Sequence, residues 1–181
     1  MTQLTPVKKI SLGAMCTALC YVLPIAFHAI GLGSILSPMH IPVLLCGIVC
    51  GGGWGAICGI LGPCLSSLLS SMPPLMMLPR MIPELLVYGL VAGLCMKRVR
   101  TGHTAADTYI SLGIAMVAGR VAGGIATAIF NTVTSGVYSL ELWITSYLVE
   151  SIPGIIAHLI LVPLLVLTLV KAKVIPARYA K

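Results

Sequence analysis

Along the chain, long apolar stretches alternate with short breaks of proline, glycine or basic residues, and six stretches stand out. They cover approximately residues 10–30, 41–51, 54–71, 79–96, 108–133 and 142–170. A helix that crosses a bilayer needs about 20 mostly apolar residues. Five stretches come near or exceed that length, and the second is short. It crosses only if residues near Ile35 extend it or neighbouring helices bury it. The pattern predicts an all-α integral membrane protein. A single domain over 1–181 carries six transmembrane helices, the second of them short.

Basic residues orient this bundle. Lys8 and Lys9 precede the first stretch, Lys97, Arg98 and Arg100 follow the fourth, and Lys171, Lys173, Arg178 and Lys181 follow the sixth. With six crossings, all three clusters fall on one side, which the excess of lysine and arginine makes cytoplasmic. Dropping the second crossing would place the first cluster opposite the other two. Both termini are therefore expected to be cytoplasmic. The first residues resemble the basic front of a signal peptide. The apolar run nevertheless continues to about Ile30 without a small-residue cleavage site, so it reads as a retained helix.

Composition narrows the class further. Hydrophobic residues make up 59% of the chain and charged residues 8%, with a mean hydropathy of +1.09. Soluble domains carry about 25% charged residues, so too little polar surface is present to cover a globule in water. The net charge of +7 does not indicate nucleic acid, because the cations flank apolar runs. Cys16, Cys20, Cys46, Cys50, Cys58, Cys64 and Cys95 all lie inside apolar stretches and read as small packing residues. Metal binding is the lesser alternative, since thiolates in lipid need a cation and further ligands.

Small residues four apart recur: Ala14 with Ala18, Gly47 with Gly51, Gly55 with Gly59, Gly89 with Gly93, and Gly119 with Gly123. Such pairs let helices approach closely, and most read as internal packing. Ala14 and Ala18 lie near the cytoplasmic end of the first helix, where an exposed small face suits docking of another membrane protein. Two of the outer connections, "GLGSILSPMH" and "SMPPLMMLPR", hold proline, methionine and glycine but few charges, as a lid or pocket wall would. In "SPMHIPVLLCG", Pro38 suits the loop and Pro42 the first turn of the second helix, where no N–H is needed. His40 is then expected at the outer rim.

Arg80, Glu84, Arg120 and Glu150 fall within or at the edge of the apolar stretches. Charge at that depth is costly, and it is usually paired or functional. At 1.5 Å per residue, Arg120 and Glu150 both lie about 18 Å from the inner side, so they can meet. Glu84 lies about one turn below Arg80. The set reads either as an ion-pair staple between the fourth, fifth and sixth helices or as a polar pocket open outward. His28 and His158 do not match in depth, which speaks against a bis-histidine haem. No phosphate-cradling glycine loop, zinc-protease pattern or nucleophile triad is present, which argues against a self-powered pump or a familiar hydrolase.

Taken together, the six-helix length, "AMCTA" on the first helix, "PMHIPVLLCGIVCGGGWGAICG" and "LPRMIPELLVYGLVAGL" resemble the substrate-binding S components of energy-coupling factor (ECF) vitamin transporters. The resemblance covers essentially the whole chain. It implies a non-enzymatic subunit of a prokaryotic cell membrane, without cofactor, that binds a vitamin from outside beneath the first and third outer loops. It further implies a membrane coupling subunit docked on Ala14 and Ala18, and two cytoplasmic ATPases that supply the energy. By depth and polarity, His40, Arg80, Glu84, Arg120, Asn131 and Glu150 are the substrate-binding candidates. Few aromatic residues are available to stack a flavin or pterin, so pantothenate or a pyridoxine-type B6 vitamer is expected first, then cobalamin. Competing expectations are a haem or redox membrane protein using histidine and cysteine, and a scaffold subunit without ligand.

Overall fold

A computed structural model describes residues 4–29, 31, 33, 37–133 and 152–176. Six α-helices are found there: α1 (Pro6–Ala29), α2 (His40–Cys50), α3 (Gly52–Ser70), α4 (Leu78–Arg98), α5 (Thr104–Val133) and α6 (Ile152–Lys171). A 3₁₀ turn at Leu75–Met77 leads into α4. No strand occurs among the described residues. Of these elements, α1, α3, α5, α6 and the Leu75–Arg98 segment are long and apolar enough to cross a membrane.

Helix α2 explains how a short stretch can sit in this bundle. Its 11 residues span about 17 Å, roughly half of a 30 Å hydrocarbon core. Ten of them are buried, because α1, α3, α4 and α6 all pack against it. It is thus an internal helix rather than a lipid-facing one. A single residue, Gly51, joins it to α3, with φ +104°, a conformation that side chains with a Cβ rarely adopt.

Contacts between glycines and neighbouring helices fix the helix directions. Gly13 of α1 abuts Trp54, and Cys20 lies against Gly62 and Cys58, so α1 and α3 run the same way. Gly55 meets Gly89, and Gly59 meets Leu85, so α3 and α4 are antiparallel. Gly119 meets Tyr88 and Gly123 meets Glu84, so α4 and α5 are antiparallel too. The chain therefore passes through the bundle in alternating directions. The basic residues Lys9, Lys97 and Arg100 gather on one face, together with the last turn of α6. That face is cytoplasmic by the lysine and arginine excess.

The helices are apolar on the outside. On α5, Ile110, Ile114, Val117, Val121, Ile125 and Ile129 are exposed, whereas Thr108, Ser111, Gly119, Gly123 and Thr127 face inward. In lipid the apolar stripe meets acyl chains, and small or polar residues take the helix contacts. Cys16, Cys20, Cys46, Cys50 and Cys58 are buried free thiols filling the junction of α1, α2 and α3. Among the described residues, no group of three His, Cys, Asp or Glu side chains is arranged to hold a metal.

Candidate functional site

Four helices bring polar side chains to one buried point in the outer half of the bundle. Glu84 and Tyr88 lie four apart on α4, hence on one face, and that face is turned toward α5. There Gly119 and Gly123 carry no side chain. A Cβ on Gly123 would come within 2.8 Å of Glu84 Oε2, and one on Gly119 would strike the Tyr88 ring. The two glycines are the space into which Glu84 and Tyr88 fit.

Around Glu84 the partners are distinct. The Tyr88 hydroxyl donates to Glu84 Oε1 at 3.0 Å. Arg120 Nη1, from one turn deeper on α5, lies 3.5 Å from the same oxygen. His40 Nε2, at the start of α2, lies 3.7 Å from it. The last two distances are ion-pair distances rather than hydrogen-bond distances. Glu84 is only 6% exposed, so this charge owes its tolerance to its neighbours rather than to water.

The histidines form the opposite wall. His40 stacks on His158 of α6 with ring centroids 5.5 Å apart, and meets Tyr88 edge-on at 5.2 Å. His40 Nδ1 lies 3.0 Å from the Ser37 carbonyl and His158 Nε2 lies 3.4 Å from it. A carbonyl only accepts, so both nitrogens carry protons in this arrangement. The stacked rings put His158 level with His40.

Sequence reasoning placed His40 at the rim, and the structure places it inside, 6% exposed. The reason is the length of α2: a half-length helix begins well below the outer end of α4. Pro42 still falls in its first turn and Pro38 in the preceding turn, as the proline spacing requires.

Two of the remaining candidates, Arg80 and Asn131, form a second, outer tier. Arg80, in the first turn of α4, holds its guanidinium 5.5 Å from the centre of the Phe130 ring, a cation–π contact. Asn131, half-buried, follows Phe130. It is eleven residues beyond Arg120 on the same helix, or about 16 Å, so it belongs with Arg80 rather than with Arg120. Glu150 lies outside the described residues; the carboxylate found beside Arg120 is Glu84.

Tyr88 and His158 were not among the sequence candidates. The four-residue spacing of Glu84 and Tyr88 was a usable signal for the first, whereas His158 had only its own apolar surroundings to mark it. On the far side of the molecule, Ala14 and Ala18 are exposed, while Leu12, Gly13, Cys16 and Cys20 turn inward. The small-residue pair faces out of the bundle.

No curated protein and no solved structure matches the chain. A family model described as "ECF transporter, substrate-specific component" matches residues 8–166. With that match over most of its length, and with an all-helical bundle of membrane-crossing helices, the chain belongs to the family of substrate-specific components of ECF transporters.

Proposed function

We propose that this membrane transport subunit captures a small, polar, water-soluble vitamin or precursor from outside a prokaryotic cell membrane. It hands the vitamin inward with an ECF coupling subunit and two cytoplasmic ATPases. The observation that carries the reading is the buried convergence of Glu84, Arg120, His40, Tyr88 and His158 from four helices. Ionisable groups at such depth ordinarily mark a substrate path. Arg80, Phe130 and Asn131 form the mouth above it.

Charge balance bears on the ligand. Glu84 already neutralises Arg120, so the inner tier favours a neutral molecule rich in hydroxyl and ring-nitrogen groups over a carboxylate. A pyridoxine-type B6 vitamer satisfies this best. Pantothenate would place its carboxylate on Arg80, and cobalamin ranks third on size. Docking is assigned to the outward face of Ala14 and Ala18, where backbone approach is unobstructed.

Mass spectrometry of the small molecule carried through gentle purification tests the ligand class. A bound B6 vitamer supports the reading, and a protein free of any vitamin in a growth medium that contains them contradicts it. Ala14→Trp is expected to abolish co-purification with the coupling subunit while leaving ligand binding within about twofold, because it alters only the exposed face.

A further inference from the structure

The cytoplasmic face holds a second feature that substrate capture does not use. A cavity of about 650 Å³ opens there, where the ends of all six described helices meet. Lys9 from the first turn of α1, Lys97 from the last turn of α4, and Arg100 just beyond it line the cavity. No carboxylate is among its described lining residues. Asp107, in the first turn of α5, is fully buried and accepts from Thr101 N and Oγ1, each at 2.8 Å.

The rest of the wall is mainly apolar. Trp54, Met96 and Val170 contribute to it, and Gly53 leaves it open, since a Cβ there would meet nothing within 4 Å. Three cations beside a low-dielectric wall favour an anion. Basic pockets between membrane helices on the cytoplasmic side take phospholipid head groups. A free phosphate ion would gain nothing from Trp54, Met96 or Val170, whereas a glycerophospholipid would lay its glycerol backbone and upper acyl chains along them. Tryptophan is also the residue that settles at head-group level.

We infer that this cavity binds one anionic glycerophospholipid of the cytoplasmic leaflet, its phosphate held by Lys9, Lys97 and Arg100. The occupant ties together the inner ends of α1, α3, α4 and α6, which otherwise meet across an open space. This site is separate from the proposed vitamin site and stands whether or not that one is assigned correctly.

The test uses the full chain in phosphatidylcholine nanodiscs, with phosphatidylglycerol as the probe. One phosphatidylglycerol per chain should survive release into native mass spectrometry and raise the melting temperature. Inorganic phosphate at the same concentration should do neither. At roughly a factor of five per cation, the triple variant K9Q/K97Q/R100Q should weaken retention about 100-fold. Gly53→Leu should also displace the lipid, by filling the cavity without changing a charge. The control K171Q/K173Q, on the same face but not lining the cavity, should retain it. Equal retention of phosphatidylcholine, equal stabilisation by inorganic phosphate, or unchanged phosphatidylglycerol binding in either cavity variant would overturn the assignment.

Discussion

Two helix contacts in this molecule are built from glycines four apart, and they serve opposite ends. Where α2, α3 and α4 cross, Gly47, Gly55 and Gly89 bring backbone against backbone. Nothing larger than a hydrogen atom fits there, and the product is close packing. Where α4 meets α5, Gly119 and Gly123 face side chains instead, and the space they leave is occupied by Tyr88 and Glu84. Identical spacing on one helix thus reports either a structural crossing or a polar chamber, and the residues on the opposing helix decide which.

Substitution separates the two contacts. The largest effect is expected for Gly89→Leu, whose Cβ alone would overlap the backbone of Gly55. Ordinary overpacking costs about 1–3 kcal/mol because side chains shift, and here two backbones would have to part. No monodisperse protein should survive size-exclusion chromatography. Recovery of a folded Gly89→Leu protein would show the crossing to be looser than described.

Glu84→Gln comes next. It removes the carboxylate beside Arg120 and leaves a buried guanidinium without that counter-charge, a loss of about 3–5 kcal/mol. The double variant Glu84→Gln/Arg120→Gln should regain most of the melting temperature but not ligand binding. That split distinguishes a ligand site from a mere staple. Recovery of binding in the double variant would assign the pair to structure alone.

A smaller effect is expected for Gly123→Ala, because the added methyl must push Glu84 by a few tenths of an ångström. Thermal stability should fall by about 1 kcal/mol, with binding weakened about tenfold. A Gly123→Ala protein with unchanged affinity would remove the chamber from the account of α4 and α5.

The membrane helices were legible in the sequence because each apolar stretch ends in proline, glycine or a basic cluster, and the alternating helix directions bear out the grouping of the cations on one face. The site was legible only in part. Glu84 and Arg120 stood out as charges among apolar residues, but the depth of His40 depended on α2 beginning half-way down the bundle. That start is set by packing against four helices rather than by any local signal. Tyr88 carried only its four-residue spacing from Glu84 as a local signal, whereas the two glycines on α5 that stand opposite the pair are a long-range fact. Asn131 and Arg120 are both polar and on one helix, yet helical rise separates them by about 16 Å. Pairing across helices is long-range information, and one chain read alone carries little of it.

Titration calorimetry of pyridoxine into the purified wild-type chain and into His40→Ala bears most directly on the claim that the buried cluster is the ligand site. One site per chain is expected in the wild type. His40→Ala, lacking the ring between Glu84, Tyr88 and His158, should bind at least about tenfold more weakly, at roughly the 1.4 kcal/mol that one lost polar contact represents, while assembling normally with the coupling subunit. If His40→Ala binds as tightly as the wild type, the ligand lies elsewhere in the bundle.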